Sequence, residues 1–268
     1  MRKDYIVATE PADHEIEFVE KFWTAAWERE GGPQGRAGRI LRKEEYRAMA
    51  PYIAKLPKGA RLLDGGCGLG DWTLCFARQG FSVAGLDLSR QTVAQLKARF
   101  PEAEFVDGDI RRTVFPDDAF DAYFSWGVFE HFESGLQDCV REAYRIVKPG
   151  GWLFITVPLD NLRHAILSTI APAPAAAEGR LRFYQWRLTR AELARELAIG
   201  GFEVLATRPM HKRQGVLRSL HHEFGLPYEW LLTKGLSVVL APFMPGIFIA
   251  HMVFAVARKP VGRNPLGG

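Results

Sequence analysis

An α/β fold, with a mainly parallel sheet between helices, is the architecture the sequence predicts, on three observations. The short apolar run Arg61-Leu62-Leu63 leads straight into a glycine-rich turn, Asp64 to Asp71, reading DGGCGLGD. Further short apolar runs follow and end in acids: Ser82 to Leu86 before Asp87, and Phe105-Val106 before Asp107-Gly108-Asp109. Between them lie stretches with helical spacing, and strands alternating with helices imply parallel pairing.

The glycine turn carries the most chemistry. Gly66, Gly68 and Gly70 alternate along it, so the backbone at the end of the first strand has no Cβ between it and a small molecule. The spacing is G-x-G-x-G with an acid upstream, where a dinucleotide turn would be G-x-G-x-x-G opening a helix on a pyrophosphate. The carboxylate of Asp64 argues against a bound pyrophosphate and for a ligand carrying positive charge. Asp87, at the tip of the second strand, is placed to accept both ribose hydroxyls of an adenosine.

Helix signals fill the intervals. Ser89 caps a run to Phe100 whose apolar positions Val93, Leu96 and Phe100 share one face. The stretch Phe115 to Trp126 supplies a turn and the fourth strand, followed by Glu130-His131 and a helix expected to be capped by Ser134. Val147 to Gly151 precedes a fifth strand, Trp152 to Val157. Thr189-Arg190-Ala191-Glu192 is a capping box opening a helix that ends at Gly200-Gly201, with Leu193, Leu197 and Ala198 inward. Phe202 to Ala206 and His251 to Ala257 are expected as the sixth and seventh strands.

The ordered set DGGCGLG, AGLDLS, FVDGDI, FPDDAFDAYFSWGVFEHF and RIVKPGGWLFITVP resembles the class I S-adenosylmethionine-dependent methyltransferases, in particular the small-molecule group containing the quinone-biosynthesis O-methyltransferases. The resemblance covers about residues 58 to 206. It implies a Rossmann-like seven-stranded sheet in the order 3-2-1-4-5-7-6, counted from the Arg61 strand, with strand 7 antiparallel and helices on both faces. It also implies S-adenosyl-L-methionine as cofactor. Gly66, Gly68 and Gly70 would pass under its methionine part, with Asp64 holding the loop. Asp87 would take the ribose hydroxyls and Leu88 the adenine face. Asp109 would accept from the adenine amino group, the Ile110 N–H would face a ring nitrogen, and the backbone at Ser125 and Trp126 would lie beside the cofactor's amino group. Cys67 stands where the family has a small residue and is expected to be a loop hydrophobe, not a nucleophile.

Composition agrees. The chain has 268 residues, 47% hydrophobic and 25% charged, enough for one large core. Its 3 cysteines, Cys67, Cys75 and Cys139, are odd in number and form no C-x-x-C pair, so neither a disulfide framework nor a metal site is indicated. With no apolar segment near Met1 of the kind a secretory leader needs, a cytoplasmic location is expected. The net charge of +4 reflects a solvated surface, and nucleic acid is a disfavoured partner. Ser125-Trp126-Gly127-Val128 replaces the Asn/Asp-Pro-Pro-aromatic turn of enzymes that methylate base amino groups. Oligomeric state leaves no signal in the sequence.

Two regions outside the shared core should set acceptor choice. Residues 1–57 are expected to be a helical extension or lid, with the methyltransferase domain at 58–268. The helix Glu15 to Arg29 carries Val19, Phe22, Trp23, Ala26 and Trp27 on one stripe, and a second helix is expected from Arg36 to Leu56, bent at Pro51. Insertions are expected at about 159–187, including the low-complexity stretch Ala171 to Ala177, and at 208–248. The latter begins basic and continues without formal charge from Gly235. Pro242, Pro245 and Gly246 break it as a membrane span, which leaves a packed subdomain or a membrane-peripheral surface for a lipid-like acceptor.

Methyl transfer to a small-molecule acceptor, foremost at oxygen, is therefore the expected activity. His131 is the candidate general base, Glu130 its partner, and Trp23, Trp27, Tyr184, Trp186 and His211 the candidate acceptor-pocket residues. The alternatives are N- or C-methylation of a soluble metabolite, a nucleotide-dependent oxidoreductase, and a non-catalytic cofactor-binding protein on the same fold.

Overall fold

The computed structural model describes residues 1–7, 14–170 and 181–262. Seven strands form the central sheet: β2 (Arg61–Gly65), β3 (Ser82–Asp87), β4 (Glu104–Asp107), β5 (Phe120–Trp126), β6 (Val147–Pro158), β8 (Glu203–Met210) and β9 (Met252–Arg258). Their order is β4-β3-β2-β5-β6-β9-β8, the order the family resemblance implies, and only β9 runs antiparallel to its neighbours.

Period-2 alternation divides the core into two layers. Leu62, Phe124, Phe154 and Phe254 point to one face, where α2 (Glu44–Ile53), α3 (Asp71–Ala77) and α4 (Arg90–Arg99) pack. Leu63, Tyr123, Leu153 and Ile155 point to the other, under α5 (Gln137–Ile146) and α7 (Arg190–Ile199). Parallel register brings the strand tips level: Asp64 lies beside Gly85 and Phe124, Asp87 beside Asp107, and Trp126 beside Thr156. A line of carboxyl ends is where an open α/β sheet binds ligands.

Local signals hold where their partners are near in sequence. Ser89 Oγ accepts from Thr92 N and caps α4, and both halves of the Thr189–Glu192 capping box form at α7. The cap of α5 differs: the helix starts after Leu136, not at Ser134, because the fully buried Leu136 anchors its first turn and a 3-10 turn, Phe129–His131, precedes it. The stretch 36–56 is not one helix. A 3-10 turn, Ala37–Arg42, is separated from α2 by the extended Lys43, and Pro51 stands inside α2.

The N-terminal extension is not wholly helical. β1 (Arg2–Val7) precedes α1 (Glu15–Arg29) and pairs antiparallel with β7 (Leu181–Arg187), forming a two-stranded ribbon outside the main sheet. Its partner follows it by more than 170 positions, so nothing local announces the strand. β7 follows α6 (Leu162–Ile170), and the low-complexity stretch from Ala171 lies outside the described residues.

The second insertion begins later than residue 208, because β8 continues to Met210 in register with β9. It then forms α8 (Lys212–His222), α9 (Leu231–Leu240) and α10 (Gly246–Ile249). Val216, Ala241 and Ile249 make a small core of their own, joined by Leu220, Met244 and Phe248. A Cβ on Gly215 would stand 1.7 Å from the Ile249 carbonyl oxygen, so only glycine allows α8 to approach α10 this closely. The outer face stays apolar: Leu231 is 86% and Phe243 83% exposed, with Leu232, Val238, Val239 and Ile247 also exposed. No helix among the described residues is long and apolar enough to cross a membrane.

Candidate functional site

A cleft partly open to solvent lies over the carboxyl ends of β2, β3 and β5, the place where an open α/β sheet binds small molecules. Gly66 forms its floor, Asp87 and Leu88 one end, Gly108 to Ile110 a side, and Trp126 to Val128 with His131 the far wall. α1 closes it from above with Val19, Glu20, Trp23 and Trp27.

Asp87 organises this floor. Its Oδ2 accepts the Gly68 N–H at 2.8 Å and its Oδ1 the Ser89 N–H at 2.9 Å. Burial raises its carboxyl above the ordinary range, while the amide donors from Ser89, Gly68 and Leu88 oppose that rise. An ionised carboxylate offers about four lone-pair sites, so each oxygen keeps acceptor capacity toward the cleft. Asp64 lies below, accepting from Thr73 Oγ1 at 2.7 Å, and burial pushes it up to about 7.

The three glycines do different work. A Cβ on Gly66 would strike Val128 at 2.3 Å, and one on Gly70 would strike Leu96 at 2.6 Å, so Gly70 serves the packing of loop against α4 and β4. Over Gly68 sits the Trp27 indole, 2.8 Å from where a Cβ would be. Gly66 is the one glycine of the three that lines the cleft. Cys67 is buried with its thiol raised well above the usual range by burial, and Ser125 turns inward to donate to the Gly65 carbonyl at 2.6 Å.

Other expected residues divide. Leu88, Asp109, Ile110, Trp126, Trp23 and Trp27 reach the cleft. Asp109 is already engaged there, since Arg111 binds both its oxygens through Nε and Nη2, at 2.8 to 3.1 Å, and reaches on to Glu15 of α1. Tyr184 lies behind His131, Trp186 donates to the Phe132 carbonyl at 3.0 Å, and His211 pairs with Glu45 of α2 at 3.1 Å; none of the three lines the cleft. His211 is taken away from the cleft because a left-handed backbone (φ 60°) at the end of β8 turns it toward α2. Glu20 of α1, which lines the cleft, was not anticipated; its spacing of three and seven residues before Trp23 and Trp27 is the signal that places it on their face.

The far wall is electrically neutral at neutral pH. His131 Nδ1 lies 2.8 Å from the Tyr184 carbonyl oxygen, which can only accept, so Nδ1 carries the proton and Nε2 is left as the basic nitrogen. Burial pulls His131 down to about 4, against the opposing pull of the Tyr184 and Gly127 carbonyls. Trp23 meets its ring edge-on, with centroids 5.2 Å apart, and stacks on Trp27 at 5.1 Å. Burial likewise pushes Glu130 up to about 8, with its Oε2 unpartnered among the described residues.

An adenosine-bearing sulfonium fits this chemistry. The indole Nε1 atoms of Trp27 and Trp126 are buried donors without partners among the described residues, Asp87 retains acceptor capacity for hydroxyls, and the aromatic rings of Trp23 and Trp27 line the cleft from α1.

The neutral state of Glu130 has a measurable consequence. Between its ordinary value of 4.5 and about 8 the folded protein holds a proton that the unfolded chain releases, so this group's effect is to lower stability as pH rises through that window. Glu130→Gln should therefore gain stability over the wild type progressively from pH 5 to 8, by at most on the order of 4–5 kcal/mol. Denaturant midpoints across that range measure it, and a difference that stays flat with pH would contradict the buried, protonated state.

Residues 63–155 match the family model described as "Methyltransferase domain". The "probable S-adenosylmethionine-dependent methyltransferase" of Mycolicibacterium smegmatis is 30% identical over 146 residues, 54% of this chain and 53% of that protein. The malonyl-[acyl-carrier protein] O-methyltransferase of Enterobacter lignolyticus is 35% identical over 121 residues, 44% of this chain and 48% of its own. The matches thus span about half the length of these relatives. In fold, the magnesium protoporphyrin IX methyltransferase of Synechocystis, solved with bound S-adenosylhomocysteine, aligns with a TM-score of 0.57 over 92% of this chain and 100% of its own, at 15% identity. With the sheet order, the glycine turn and Asp87 at the tip of β3, these matches establish that the chain carries a class I S-adenosylmethionine-dependent methyltransferase domain.

Proposed function

We propose that the protein methylates a hydroxyl oxygen of a small amphipathic acceptor, using S-adenosylmethionine held in the cleft above Gly66 and Asp87. The observation that carries this reading is His131, a buried, neutral imidazole on the cleft wall whose Nδ1 proton is committed to Tyr184, leaving Nε2 as a proton acceptor. When bound, the cofactor supplies a methyl group already activated by its sulfonium.

The chain's own residues then have three tasks. Asp87 orients the ribose through its free lone pairs, and Trp23 and Trp27 shut water out above the floor. Nε2 of His131 takes the acceptor hydroxyl's proton as the oxygen attacks. The O-methyltransferase named among the relatives agrees with oxygen as the acceptor atom. An amphipathic acceptor is supported by the exposed apolar face of α9 and of Phe243 beyond it, larger than single scattered surface residues.

Methylated product identified by mass spectrometry, after reaction with labelled cofactor and a set of phenolic, carboxylic and lipid-linked acceptors, tests the reading. His131→Ala should lower kcat by about 10²–10⁴ with little change in cofactor affinity. Because His131 is deprotonated above about 4, the wild-type rate should show no imidazole limb between pH 6 and 7.5. A near wild-type kcat in the variant, or label appearing on nitrogen or carbon, would overturn the assignment.

The α9 face has its own test. Wild-type protein should float with anionic liposomes even at high salt, and Leu231→Ser with Phe243→Ser should abolish this without loss of thermal stability, since both side chains are exposed. A wild type that does not bind liposomes would remove the lipid-linked acceptor from the proposal.

A further inference from the structure

Behind His131 and Tyr184, away from the cofactor cleft, four arginines from four different elements meet beyond the carboxyl end of β6. Arg2 comes from β1, Arg163 from α6, Arg187 from β7 and Arg218 from α8. Arg187 is only 7% exposed. Its Nε bonds Asp4 Oδ2 at 2.5 Å, yet its Nη1 is buried with no hydrogen-bond partner among the described residues. Arg163 pairs with Glu223 and approaches His164 Nε2 at 2.9 Å, leaving Nε buried and unpartnered. Arg2 Nη2 lies 3.2 Å from Asp160 Oδ1, and its Nε is likewise buried without a partner. Arg218, half-buried, makes no ion pair among the described residues.

The charges around this cluster do not balance. Asp4, Asp160 and Glu223 face four guanidinium groups, and Glu130 stays uncharged up to about 8. The histidines register the excess: burial, then Arg187, Arg163 and Arg2, hold His164 down at about 3, and burial, then Arg218 and Arg187, hold His251 there too. Leaving a buried charged donor without a partner is costly, so three such guanidinium nitrogens on arginines close enough to repel one another signal an anion that completes them. Guanidinium groups are suited to this because their planar forks match the oxygens of a carboxylate or phosphate.

We propose that Arg2, Arg163, Arg187 and Arg218 form a subsite for an oxyanion, a phosphate or carboxylate group borne by the methyl acceptor. This deepens the proposed function and rests on it only for the identity of the ligand's owner; the anion site itself stands on the unpartnered guanidinium nitrogens. Tyr184 joins the two sites. Its carbonyl orients His131 at the cleft wall, its ring stands 5.2 Å from the imidazole, and two residues separate it from Arg187 on β7. The arginine cluster and the cofactor cleft thus lie on the two sides of the same His131–Tyr184 pair.

Inorganic phosphate and acetate, each against chloride at equal ionic strength, are the probes, read by thermal shift and calorimetry on the full chain. Both oxyanions, or one of them, should stabilise the wild type saturably, beyond chloride. The stronger of the two identifies the acceptor group as phosphate or carboxylate. Arg218→Ala, which breaks no described ion pair, should weaken that binding about tenfold or more while leaving affinity for S-adenosylhomocysteine unchanged. Arg187→Lys, which keeps the charge but loses the fork, should weaken it as well. Stabilisation no greater than chloride's, or an oxyanion affinity unaltered by Arg218→Ala, overturns the subsite. A wild type that binds the oxyanion but not S-adenosylhomocysteine would instead sink the methyl-transfer reading and leave the subsite standing.

Discussion

The cleft depends on one buried carboxylate. Asp87 holds the glycine loop through the Gly68 N–H and the start of α4 through the Ser89 N–H. Hydrogen bonds to a charged group are each worth about 1.5–3 kcal/mol, and losing them would strand two buried amides. Ser89 caps α4 and touches Thr24 of α1 at 2.7 Å, so the seat of α1 is set by the same residue pair that closes the floor. Loop, strand tip, helix start and α1 are therefore positioned together.

From that anchor the site develops two unlike ends with a neutral partition between them. The 3-10 turn Phe129–His131 carries both groups of the partition: the imidazole of His131 joins the cleft wall, and the Glu130 carboxyl is influenced by Arg187. Burial removes charge from both, making His131 a weaker base and Glu130 a weaker acid than in water. Asp87 lies at one end and the guanidinium groups at the other. Charged partners thus stand only at the two extremes, and the low dielectric of the buried partition strengthens the hydrogen bonds within it.

Legibility in the sequence followed locality. The strands of the sheet, Ser89, the capping box at Thr189 and the acid tips are each encoded within a few residues, and the structure has them where the pattern put them. Strand order came from family resemblance, since no local pattern specifies which tips lie side by side. What escaped was non-local. β1 pairs with a strand whose residues follow it by more than 170 positions, and the arginine cluster draws on four elements that no spacing rule connects. Tyr184 and Trp186 share one face of β7 and stand against His131 and Phe132, a contact between elements that no local pattern specifies. His211 is turned to Glu45 of α2 by a left-handed backbone that the sequence does not announce.

The most direct test of the account is whether Asp87 reads ribose, as distinct from merely bracing the loop. Calorimetry would compare S-adenosylhomocysteine with its 2′,3′-dideoxyribose analogue on wild type and on Asp87→Ala. The wild type should lose about 1.5–3 kcal/mol for each missing hydroxyl, and the variant should bind both ligands weakly and alike. If the wild type binds the analogue as tightly as the parent, or the folded variant discriminates between them as well as the wild type does, Asp87 is a loop brace alone and the placement of the cofactor is wrong.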